Sequence, residues 1–213
     1  MVTLAARAEM PAYLRSALDN FNPGVPAGWA CTITTTRNGL TIVERFDPAR
    51  PAEAQWSLLQ YQGRSPTAEE TGKYASSRMP GISVGPQSNF QKGDIEPGSL
   101  TLVQETADRA EFKGAFREEA SGADKMLAHL VLHLTVRKQN PFIEKYSLTL
   151  TAPYNPVLGV KMDELNVEAT YQPPGNDRPA LPSTHSSKFK GRVLLISNEE
   201  DLRVTFSDFA RRP

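Results

Sequence analysis

Few residues in this chain have both the type and the spacing for chemistry. Gly81-Ile82-Ser83-Val84-Gly85 has the G-x-S-x-G form of a hydrolase nucleophile elbow. That motif works by holding serine on a strained turn between a strand and a helix, which projects the hydroxyl over an oxyanion hole. Here Arg78-Met79-Pro80 precedes it and Pro86-Gln87-Ser88-Asn89 follows. Neither flank supplies the required element, so a nucleophilic Ser83 is not expected. His129 and His133 are four residues apart, a metal-binding spacing on a helix. Their segment alternates like a strand, where two such rings would stand about 13 Å apart and could not share an ion.

The remaining candidates fare no better. Glu118-Glu119 and Glu199-Glu200-Asp201 are acidic groups expected in solvated turns, whereas a glycosidase needs two carboxylates facing each other across a cleft. Cys31 is the single cysteine, which rules out an intrachain disulfide and reads as a small apolar residue buried in a strand. There is no P-loop and no G-x-G-x-x-G. No enzyme, no cofactor and no metal site is expected.

Composition narrows the class. Of the 213 residues, 39% are apolar, and 24 Lys plus Arg balance 24 Asp plus Glu. That apolar share suits a packed core. Zero net charge without a basic cluster argues against a nucleic-acid partner, whose phosphates must be neutralised. No apolar run approaches the roughly 18 to 20 residues a membrane-spanning helix needs. Ala6-Arg7-Ala8 before Glu9 has the A-x-A form cut by signal peptidases, and only Val2 and Leu4 stand in for an apolar stretch ahead of it. Residues 1–8 therefore read as the remnant of an export leader, a chance match, or a disordered end. Residues 9–213 read as one domain.

The elements that would position any site are mostly strands. Glu9 to Asn20 has helical spacing, with Pro11 in the first turn and Asn22-Pro23-Gly24 ending it. Trp29–Arg37 and Leu40–Phe46 flank Asn38-Gly39, the strongest short hairpin signal. Gln55–Gln62 is a third strand. Thr67-x-x-Glu70 is a capping box that opens a helix to about Ser76. Ser77–Ser99, rich in Pro, Gly and Ser, reads as a long mobile connection. Strands are then expected at Leu100–Thr106, Arg109–Phe116, Leu127–Lys138, Ile143–Thr151, Val157–Gln172, Ser183–Lys190, Arg192–Ser197 and Leu202–Phe209. Without strand–helix alternation a parallel sheet is not expected. The fold class is mainly β (α+β): one strongly curved antiparallel sheet, an incomplete barrel of about ten or eleven strands under two or three short helices.

Such a sheet must cover its inner face or leave an apolar hollow. Leu130, Leu132, Leu134 and Val136 alternate on one side of the longest apolar strand and are the candidate lining of that hollow. Ordinary core is the competing reading for the same four residues.

The order of elements resembles a group of exported bacterial proteins. It runs through Trp56-Ser57-Leu58-Leu59, Gly63-Arg64-Ser65-Pro66-Thr67, Glu70 and Tyr74, then a meander ending on Val204-Thr205-Phe206-Ser207-Asp208-Phe209. These proteins are similar in architecture to the periplasmic lipoprotein carrier LolA and its acceptor LolB. The resemblance covers nearly the whole chain from Glu9 onward and implies a periplasmic protein with a helix-lidded hollow able to admit acyl chains. The acceptor's lipobox cysteine has no counterpart here, and no individual contact residue of the family maps onto this chain. Sharing a fold does not establish sharing a function. The expectation is a non-enzymatic exported protein that binds a lipid or lipoprotein acyl chain in the concave face. The alternative is a structural or protein-interaction module whose hollow is filled by its own side chains.

Overall fold

A computed structural model describes residues 9–77, 90–96, 98–119, 126–175, 177–194 and 196–212. Ten strands form one antiparallel sheet. They are β1 (Trp29–Arg37), β2 (Leu40–Phe46), β3 (Trp56–Tyr61), β4 (Thr101–Glu105), β5 (Arg109–Ala115), β6 (Leu130–Arg137), β7 (Phe142–Leu150), β8 (Val160–Gln172), β9 (Leu181–Val193) and β10 (Ile196–Arg211). The helices are α1 (Ala12–Asp19) and α2 (Ala68–Ser77). The spatial order is β3-β2-β1-β10-β9-β8-β7-β6-β5-β4, so β3 and β4 are free edges and the barrel is incomplete. The expected hairpins are present. At the β1–β2 turn Asn38 (φ 48°) and Gly39 (φ 83°) both sit in the left-handed region such a turn demands.

Beyond shifts of one to three residues at other strand ends, three features differ from the sequence expectation. Met126–His129 is a 3-10 turn, so β6 begins at Leu130. Arg192–Ser197 is not a strand of its own: it straddles the turn between β9 and β10. An apolar run without Gly, Asn or Pro carries no turn signal, which is why it reads as a strand. Glu199, Glu200 and Asp201 consequently lie within β10 rather than in a turn, opposite Lys190, Phe189 and Lys188.

The register aligns one transverse row of side chains across all ten strands. From one edge it runs Tyr61, Ile42, Thr35, Val204 and His185. It continues through Ala169, Tyr146, Leu134 and Phe112 to Leu102. Directly opposed residues share a face, and this one is concave and mostly apolar. The reverse face carries Thr–Thr contacts (Thr170–Thr184, 2.7 Å) and ion pairs such as Lys145–Glu168 at 2.5 Å.

Helix α1 covers one half of the concave face. Leu14, Ala17 and Leu18, spaced i, i+3, i+4, are its buried stripe. Eight residues are too few for a helix to persist in water alone, so docking holds it. Phe21 continues from its end, its ring 5.8 Å from Phe90 and edge-on to Tyr146 and Tyr171. The Tyr171 hydroxyl donates to the Pro23 carbonyl, tying β8 to the same segment.

The connection from β3 to β4 joins opposite edges of the sheet. Its described part contradicts the expectation of a mobile link: Phe90 and Ile95 are buried in the main core. Gln91 and Asp94 cap each other's backbone, and Lys92 pairs with Asp19 at the end of α1. Residues 78–89 of that expected loop lie outside the described residues.

Candidate ligand-binding face

Leu130, Leu132, Leu134 and Val136 stand together on the concave side of β6, each buried. They pack in one cluster with Leu14, Leu18, Phe90, Phe112, Phe116, Tyr146 and Tyr171. The Phe90 ring lies 5.3 Å from Phe116 and 5.2 Å from Tyr146, both at steep angles that favour aromatic contact. The chain's own side chains thus occupy the hollow over β5–β8.

The same face over β9, β10, β1 and β2 is different. Ile42, Thr35, Val204 and Leu202 point inward by the register yet are only half-buried, as are Leu165, Val167 and Phe189 next to them. This is an apolar concave surface that α1 does not reach. Helix α2 contributes little apolar cover: among its residues of described burial, Glu70 and Tyr74, four residues apart, are half-buried and the rest exposed. Its start follows the sequence reading closely. The Thr67 hydroxyl accepts the Glu70 amide at 3.2 Å, and the Glu70 carboxylate accepts the Thr67 amide at 2.8 Å. Hydrogen bonds from Arg64, then the Thr67 amide, hold the Glu70 carboxyl down at about 2.

Two polar groups are set into this half. Glu44 is 2% exposed and lies between Ile33 and Leu58 in the register. The Tyr74 hydroxyl donates to its carboxylate at 2.7 Å, and burial raises the Tyr74 pKa. The strand pattern carried this signal, because Glu44 takes the inward parity between Ile42 and Phe46. His185 is 5% exposed, opposite Ala169 and Val204. Its Nδ1 has no hydrogen-bond partner among the described residues, and desolvation lowers its pKa, favouring the neutral ring. Below them a smaller cluster, Cys31, Ile33 and Phe206, packs with Phe46 and Trp56. Burial pushes the Cys31 thiol up to about 12, making it inert.

The other sequence candidates are dispersed. His129 stacks on Tyr154 with ring centroids 4.2 Å apart, while His133 is exposed on the reverse face of β6. Among the described residues no three His, Cys, Asp or Glu side chains converge as metal ligands. Ser83 and the Ala6-Arg7-Ala8 pattern lie outside the described residues. On the reverse face a depression of about 340 Å³ is lined by Arg109, Glu111, Thr135, Glu144, Lys145, Thr170 and Tyr171. Arg109 and Arg137 both pair with Glu144 there, leaving those charges satisfied internally. No helix among the described residues is long and apolar enough to cross a membrane.

No protein-family model, no curated protein and no solved structure matches this chain.

Proposed function

We propose that the protein is a non-catalytic, exported binding protein that holds an apolar ligand of the lipid or acyl-chain class on the concave face of β9, β10, β1 and β2. The observation that carries this reading is the half-buried apolar surface formed by Ile42, Val204, Leu202 and Phe189, with Val204 bordering the smaller buried cluster of Cys31, Ile33 and Phe206. A soluble domain gains by burying such a surface, and an acyl chain fits it without needing polar partners. The likeness of element order to the LolA group and the A-x-A pattern support placing it in the periplasm.

The alternative, a module with no ligand, draws on the half of the face that α1 and Phe90 already fill. Native mass spectrometry after incubation with bacterial lipid extract separates the two. The proposal expects co-bound acyl species that are lost in a folded Leu202→Asp/Val204→Asp variant. A chain that emerges without bound lipid, or a variant that retains it, would favour the filled module.

A further inference from the structure

The three longest strands end in an apolar cap. β8, β9 and β10 run 13, 13 and 16 residues, and Val193 and Ile196 flank the turn joining the last two, in which Leu194 lies. Leu194 is 75% exposed, Ile196 73% and Val193 49%. Beside them, just before β8, Leu158 is fully exposed and Val157 largely so. The two segments form one patch: the Leu194 amide donates to the Gly159 carbonyl at 2.6 Å, and a Cβ on Gly159 would stand 3.0 Å from the Leu194 Cδ2. Leu194 is also a left-handed residue, φ 56°. An L-residue with a bulky side chain is disfavoured in that conformation, and Asn or Gly would hold the turn better. Exposed apolar bulk that works against its own turn calls for a reason outside the fold.

We propose that this cap is a membrane-surface docking element that wedges its apolar side chains into the acyl region of a lipid leaflet. Two features favour lipid over a protein surface. The local amides of Val160 and Leu194 are already bonded, to Val157 and Gly159, which lowers the cost of leaving water. Behind the cap Lys161 and Arg192 share Asp163, and Lys190 pairs across strands with Glu199, giving a polar collar with a single surplus positive charge. Docking is therefore driven by apolar burial and not by anionic headgroups. This inference stands whether or not the concave face carries a ligand.

The test is flotation of the full chain with phosphatidylcholine vesicles, at low and high salt. The expected result is flotation that persists at high salt and falls about tenfold in a Leu158→Asp/Leu194→Asp double variant. Both sites are surface positions, and Asp tolerates the left-handed region better than Leu, so folding is preserved. In a second measurement Leu158→Cys is labelled with an environment-sensitive fluorophore, Cys31 being buried and inert. Its emission should rise and shift to the blue with vesicles. Wild-type protein that stays at the bottom of the gradient, a double variant that floats equally well, or a label indifferent to lipid would each overturn the proposal. So would concentration-dependent dimerisation lost in the double variant without vesicle binding, which would assign the cap to a second copy.

Discussion

Strands β4 to β8 and strands β9, β10, β1, β2 and β3 contribute to the same concave surface in a single register, and their inner faces meet different neighbours. Over the first group α1, Phe21 and Phe90 close the face, and Leu132, Val136 and Tyr146 are inaccessible to water. Over the second, side chains of equal apolarity such as Ile42, Leu202 and Val204 are only half-buried, and a carboxylate and an imidazole are set among them. A sheet can therefore divide its labour laterally. One half is closed by α1, Phe21 and Phe90, and the other packs around Cys31, Ile33 and Phe206 and leaves the rest of its inner face less deeply buried.

The contrast is sharpest in the cost of truncation. Phe90→Ala should destabilise by about 4 kcal/mol and Leu132→Ala by about 3 kcal/mol, measured as a fall in urea midpoint at unchanged m, because each leaves a cavity that α1 cannot collapse into. Tyr74→Phe removes a donor to the buried Glu44 carboxylate and should cost about 2 kcal/mol in the same assay. Val204→Ala, on the open half, should cost only about 1 kcal/mol. Equal losses for Val204→Ala and Leu132→Ala would erase the distinction between the halves.

Acid separates the halves by a smaller effect. His185 has a lowered pKa in the folded chain, so the native state binds its proton less readily than the unfolded chain does. Stability from this group is complete above the ordinary histidine value of about 6.5 and declines as pH falls below it. In thermal melts His185→Gln should flatten the slope that begins there, and an unchanged slope would assign it elsewhere. Glu70 is lowered to about 2. Its contribution is present above the ordinary glutamate range and is lost between there and about pH 2. Glu70→Gln should remove a slight part of that acid limb, as expected of an exposed pair.

Much of the fold was legible because its signals are local. Asn38-Gly39 requires positive φ at two positions, and the capping box of Thr67 and Glu70 satisfies orphan amides within one turn. Alternation through Leu130, Leu132, Leu134 and Val136 sends them all inward whatever packs above. The candidate site was less legible. Phe90 sits in a Pro- and Gly-rich segment with no periodicity, so its role as an anchor depends on the distant Phe21 and Tyr146. His185 falls in a run of Ser and Thr whose polarity masks the inward face.

The amino-acid sequence by itself settled the period of the strands, their antiparallel class and which side chains share a face, since these follow from backbone geometry and neighbours a few residues away. It did not settle which part of that face is covered. Leu132 and Leu202 have the same parity and the same side chain, and the packing of α1, Phe21 and Phe90 makes one core and leaves the other half-buried. The tertiary structure likewise decided that Val193, Leu194 and Ile196 stand exposed where β9 passes into β10 instead of lying within one continuous strand. Burial depends on what the rest of the chain brings to a residue, and no local pattern records that.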